Sequence, residues 1–138
     1  YREALRAHYE TSYRYLVDFN IALIRWLADS FGLNKPIIRS SELGVRGAQS
    51  ELLLSICQEV GAEEYLSGVS GKNYLEMELF EAAGIPVRFQ EFHHPVYPQT
   101  REPFVPALSS IDFLLNCGSG ARQILEDAAT PRLSAVFT

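Results

Sequence analysis

The fold class predicted here is α/β: a small three-layer αβα domain with a three-stranded parallel sheet, a long N-terminal helix and a helical C-terminus. Three observations predict it. Short apolar runs alternate with longer stretches of helical periodicity, as in consecutive βαβ units. Gly32, Gly61 and Gly84 each follow a helical pattern where a stop is needed. Crossovers of this length join parallel neighbours, and nearly always with the right-handed twist.

The elements follow in order. Thr11 or Ser12 caps a helix running to Phe31, in which Leu16, Leu23, Leu27 and Phe31 form one apolar row and Val17, Ile21, Ile24 and Ala28 a second. Two rows make a wide face, and this helix is expected to cover one side of the sheet. Residues 36–40, beginning "PIIR", read as the first strand, and a loop marked by Gly44 and Gly47 follows. A helix is expected over 50–60, with Leu53, Ile56, Cys57 and Val60 inside. The second strand is 65–68. A helix over 74–83 buries Leu75, Leu79, Phe80 and Ala83, and the third strand is 87–92. Four prolines, Pro95, Pro98, Pro103 and Pro106, exclude regular structure over 93–108. Ser109 or Ser110 then caps a short helix over 111–116 ended by Gly118, with Asp112 placed to answer the cap. Ser119 caps a last helix over about 120–128, and the tail from Ala129 carries no assignment.

Composition limits the function. With 138 residues, 47% hydrophobic and 21% charged, the chain suits one ordinary globular domain, 1–138. A net charge of −5 argues against a broad nucleic-acid surface, which needs clustered Lys and Arg. A small anionic ligand needs only a local positive site. No apolar run approaches the roughly 20 residues that span a bilayer, so no membrane insertion is expected. Cys57 and Cys117 are too few for a disulfide framework and read as reduced thiols of a cytoplasmic protein. The chain starts at Tyr1 and its one Met is Met77, so it reads as a portion of a longer protein.

The stretch "YLSGVSGKNYL", 65–75, raises the question of phosphate binding. The P-loop pattern fails, because two residues and not four separate Gly68 from Gly71, and Asn73 follows Lys72 where Ser or Thr is required. A general argument survives. Loops at the carboxyl ends of parallel strands are where open α/β sheets bind ligands, and a helix starting there offers free N–H groups. On this reading Ser67, Gly68, Ser70, Gly71, Lys72 and Tyr74 contact an anion. The alternative is a tight turn needing Gly for its backbone alone.

Other polar residues stand at the remaining strand ends. Arg39, Ser40 and Ser41 close the first strand; Gln90 stands near the end of the third and His93 and His94 follow it, with Tyr97 and Gln99 in the proline-framed loop. In a three-stranded parallel sheet these ends share one edge. One of His93 and His94 is a candidate base or ligand, and the other a structural residue. Arg39 either meets an anion or pairs with Glu42 or Glu91. No third ligand accompanies the histidines at a metal-site spacing, so no metal is expected. Cys57 lies on an apolar stripe, and Cys117 has no base at a recognisable spacing. The residues specify neither a cofactor nor an oligomeric state.

The words "YLSGVSGKNYL", "LFEAAGIPVRFQEFHHPVYPQ" and "PFVPALSSIDFLLNCG", together with "IIRSSEL" at 37–43, resemble the C-terminal part of the WbqC-like protein family. The resemblance runs over residues 16–125 and departs at Leu115, where the family more often has Phe. Members of that family carry a further N-terminal region absent here. They are associated with bacterial surface-polysaccharide (O-antigen, lipopolysaccharide) gene sets. The resemblance therefore implies a transferase of glycine or another acyl group onto an activated amino sugar. The partner implied is a nucleotide-sugar or other anionic small molecule. The alternative is a non-catalytic module that binds a small molecule or a partner protein.

Overall fold

The computed structural model describes residues 1–129. It divides into two compact units, one of Tyr1–Pro36 with His93–Thr138 and one of Ile37–Phe92.

The second unit holds the α/β core. Helix α3 (Gln49–Glu59) leads to strand β1 (Tyr65–Ser67), and helix α4 (Met77–Ala82) leads to strand β2 (Val87–Phe89). The strands pair in parallel, with Tyr65 opposite Val87, Leu66 opposite Arg88 and Ser67 opposite Phe89. The Tyr65 N–H donates to Pro86 O at 2.9 Å and the Gln90 N–H to Ser67 O at 2.7 Å, which brackets the ladder. One face of the sheet, carrying Tyr65 and Val87, closes on α3 and α4 around Cys57, Phe80 and Ile85. Phe80 is fully buried and stacks on Tyr65 with ring centroids 5.4 Å apart. The sheet is thus parallel as expected, but with two strands and not three.

The differences have local causes. The segment expected as the first strand, 36–40, forms no strand; it is extended at Arg39 and winds into a 3₁₀ turn at Ser40–Glu42. Pro36 has no N–H to give a ladder, and the apolar run is only two residues long. The expected strand over 87–92 stops at Phe89, because β1 ends at Ser67 and no ladder partner remains. The helix expected from 74 starts at Met77, because 3₁₀ turns fill Val69–Asn73 first. Ser50 fixes that start. It is fully buried, and its Oγ accepts the Glu76 N–H at 3.0 Å.

In the first unit, α1 (Arg2–Glu10) precedes α2 (Leu16–Ser30), where a single helix capped by Thr11 or Ser12 was expected. Thr11 instead closes α1, its hydroxyl donating to Ala7 O at 2.7 Å. A Thr hydroxyl serves either end of a helix, so the residue type alone does not decide. Tyr9 and Tyr13 both pack on Phe19, at 5.3 and 5.5 Å between centroids, and join the two helices. The wide apolar face of α2 is used only in part, with Phe31 buried but Leu16 and Ile24 exposed. Gly32 ends α2 at φ +67, a conformation that costs Gly little. Toward the C-terminus, α5 (Ser110–Cys117) starts at Ser109, whose Oγ accepts the Asp112 N–H at 3.3 Å. A short 3₁₀ turn, Gly118–Gly120, connects it to α6 (Ala121–Ala129). Phe31, Tyr97, Phe113, Leu114 and Ala121 form the core of this unit.

Candidate functional site

The carboxyl edge of β1 and β2 gathers part of the expected site. Ser67 ends β1 and is buried, with its Oγ donating to Gly68 O at 3.2 Å. The chain then turns, the Gly71 N–H donating to Gly68 O at 2.9 Å. Gly71 is buried against the Ser67 hydroxyl, and a Cβ there would strike that oxygen and come within 3.2 Å of the Phe89 ring. Lys72 is exposed, with its ammonium 5.3 Å from the centre of the Phe89 ring. This contact joins the turn to the end of β2, where Gln90 is exposed. Ser67, Gly68, Gly71, Lys72 and Gln90 are therefore neighbours, and the exposed Ser70 belongs to the same turn.

The helix expected to open at this turn does not. The turn is 3₁₀, and α4 begins later behind Glu76. Any attraction for an anion here comes from Lys72 and local donors, without a long helix dipole behind it. Gly71→Ala should destabilise the protein by about 1–3 kcal/mol, the usual cost of forcing a methyl into filled space. Gly68→Ala has nothing within 4 Å of the new carbon and should be close to neutral. Urea titration of both variants checks the difference.

The other candidates stand on other segments of the chain. Arg39, Ser40 and Ser41 sit at a separate 3₁₀ turn, where Arg39 Nε lies 4.0 Å from Glu42 Oε1. Arg39 is half-buried and Glu42 exposed, and at this separation the pair adds little stability. Tyr74 is 58% exposed, and its carbonyl accepts a long hydrogen bond of 3.5 Å from Ser50. His93 and His94 are exposed and belong, with Tyr97 and Gln99, to the first unit.

Tyr97 and Gln99 have partners that the sequence reading did not assign. Tyr97 is 7% exposed and its hydroxyl donates to Asp112 Oδ2 at 2.7 Å. The Asn116 amide donates to Asp112 Oδ1 at 3.1 Å and to Asp112 O at 2.9 Å. The Thr100 hydroxyl reaches Asn116 Oδ1 at 3.3 Å. Gln99 clasps Val105 from both sides, Nε2 donating to its carbonyl at 2.9 Å and Oε1 accepting its N–H at 2.8 Å. Asp112 was expected only to answer the helix cap; it also anchors the Tyr97 phenol. The signal that could have found this is the i, i+4 spacing of Asp112 and Asn116 beside a Tyr in a proline-framed segment.

Burial, and then the hydrogen bond to Asp112, push the Tyr97 phenol above its usual range. Burial likewise raises the thiols of Cys57 and Cys117, the latter helped by the Asp112 charge. Both stay protonated near neutral pH, which suits packing and not nucleophilic attack. Both cysteines are free. Among the described residues no group of three His, Cys, Asp or Glu side chains could hold a metal ion, and no helix is long and apolar enough to cross a membrane.

Comparison with known proteins places these motifs. The chain is 28% identical over 107 residues to the uncharacterized protein Rv1507c of Mycobacterium tuberculosis (strain ATCC 25618 / H37Rv). That match takes in 77% of this chain and 46% of the relative, so the chain spans about half the length of the curated relative it matches. No solved structure matches. The model of the WbqC-like protein family matches residues 1–124, which include the 65–75 turn, the Tyr97 loop and helix α5, and the chain belongs to that family.

Proposed function

We propose that the protein acts in the bacterial cytoplasm as a transferase of surface-polysaccharide (O-antigen) synthesis. The reaction is transfer of a glycyl or other acyl group to an activated amino sugar, and the turn at 67–72 holds the anionic part of that substrate. One observation carries the assignment of the turn. A solvated ammonium, Lys72, stands over Phe89 beside the Ser67 end of a parallel strand, the position at which α/β sheets receive ligands. In this proposal the exposed Ser70 and Gln90 supply further donors beside Lys72. Tyr97 and Gln99 are bonded within the first unit, to Asp112 and Val105, and carry no ligand role in this proposal.

The test is a titration of uridine-diphosphate amino sugars against the protein and Lys72→Gln at two salt concentrations. Loss of a charge-assisted hydrogen bond, about 1.5–3 kcal/mol, should weaken binding by about tenfold or more. It should also flatten the salt dependence, since an exposed ion contact is screened. Equal affinities for both proteins would remove the turn from the site. No change in melting temperature with any nucleotide-sugar would count against a small-molecule function altogether.

A second reading, a binding module without chemistry, is favoured by one observation: Tyr97, Gln99, Asp112 and Asn116 are bonded within the protein. Binding of the nucleotide-sugar with no transfer from any activated acyl donor would select it.

A further inference from the structure

We infer that β1 and β2 are two strands of a larger parallel sheet, completed by further chain of the same polypeptide that covers Leu66. Parallel sheets are buried on both faces, and a pair of short strands is marginal alone. Here each strand has three residues, and α3 and α4 close only the face carrying Tyr65 and Val87. On the other face Leu66, at the centre of β1, is 58% exposed. Its neighbour across the ladder, Arg88, is exposed and pairs with Glu64 at 2.6 Å.

The open edge points the same way. In a parallel ladder alternate residues bond to one neighbour, and β1 uses Tyr65 and Ser67 toward β2. The N–H and C=O of Leu66 therefore face the opposite edge, where a further strand would pair. Within the same unit the "PIIR" segment reads as a strand, yet Ile37 and Ile38 are 40% and 54% exposed and outside any ladder.

More of the same chain fits this surface better than a second molecule. Three-residue strands offer too few hydrogen bonds to offset the cost of bimolecular association, whereas a tethered segment avoids most of that cost. The curated relative supplies such chain, since the matched stretch is 46% of its length. The inference is independent of the ligand proposed above.

The experiment places a cysteine at the uncovered position, Leu66→Cys, in the 138-residue chain and in the full product of its own gene. Maleimide labelling is followed in both, with the unsubstituted proteins as blanks for Cys57 and Cys117. The expected result is labelling at least tenfold slower in the full product. Equal rates, a full product no longer than this chain, or slow labelling already in the 138-residue chain would overturn the inference. Slowing that depends on the concentration of the 138-residue chain would assign the face to a second copy and also overturn it. Should the variant fail to fold, amide hydrogen exchange at Leu66 and Ile38 in the unsubstituted proteins decides. Protection gained only in the full product supports the inference, and equal exchange overturns it.

Discussion

Phe80→Ala should lower the stability of the protein by about 3–5 kcal/mol, as expected for a large aromatic removed from a filled core. Phe80 has no exposed surface and stacks on Tyr65, with Cys57 and Ile85 beside it. Its ring is the one large, fully buried side chain of the face that joins α3 and α4 to the two strands. The surroundings have little freedom to collapse, because α4 is only six residues long and is pinned at its start by Ser50. Phe80→Leu keeps most of the volume and should lose markedly less. The measurement is urea unfolding followed by circular dichroism. A loss below about 1 kcal/mol for the alanine variant would mean that the packing of this face is not as described.

Tyr97→Ala should be comparably damaging, about 3–5 kcal/mol by the same reasoning. Tyr97 meets Phe113 edge to face at 4.8 Å and Phe104 at 5.4 Å, so its ring organises the first unit's core. Tyr97→Phe isolates the hydroxyl. It leaves Asp112 with Asn116 as partner but without the phenol, and should cost about 1–3 kcal/mol. The two variants also differ with pH. The folded protein holds the phenolic proton more tightly than the unfolded chain, whose phenol titrates near ~10. The associated stability is complete below that value and is lost as pH rises through the higher folded value. Tyr97→Phe should therefore show a shallower alkaline loss than the parent. Tyr65 and the two thiols, also raised, remain in both proteins, so the difference reports Tyr97. An unchanged alkaline slope would show that burial and the Asp112 bond do not raise the Tyr97 phenol as described.

Much of the second unit is legible in the residues. Helix α3, the two paired strands and the Gly61 and Gly84 stops follow from periodicity and Gly placement, because burial and backbone geometry both act on neighbours in sequence. The missing first strand was not legible, because strandedness depends on a partner and "PIIR" carries no information about whether one is present. Helix α1 escaped notice for a related reason. It buries no residue, and its stability draws on good helix formers and the Arg6–Glu10 pair, which leave no apolar stripe to detect. The turn at 67–72 was singled out from its glycines, while the later start of α4 is fixed by Ser50, far away in sequence. Tyr97 and Gln99 were singled out as ligand contacts on a proline-framed loop. Their bonding to Asp112 and Val105 is a tertiary matter that spacing cannot disclose.

The clasp of Gln99 on Val105 has a consequence for engineering. By tying two points six residues apart, it gives the excursion between them a fixed mouth, so the length of chain outside that mouth is nearly free to vary. Closing a flexible loop costs only about 0.6 kcal/mol more for each doubling of its length. Thr100 and Phe104 are each tied back, to Asn116 and to Tyr97, but Arg101 and Glu102 are exposed. The junction between Arg101 and Glu102 is accordingly a port at which an affinity tag or a fluorescent reporter can be spliced into the polypeptide without the insert reaching the hydrophobic interior.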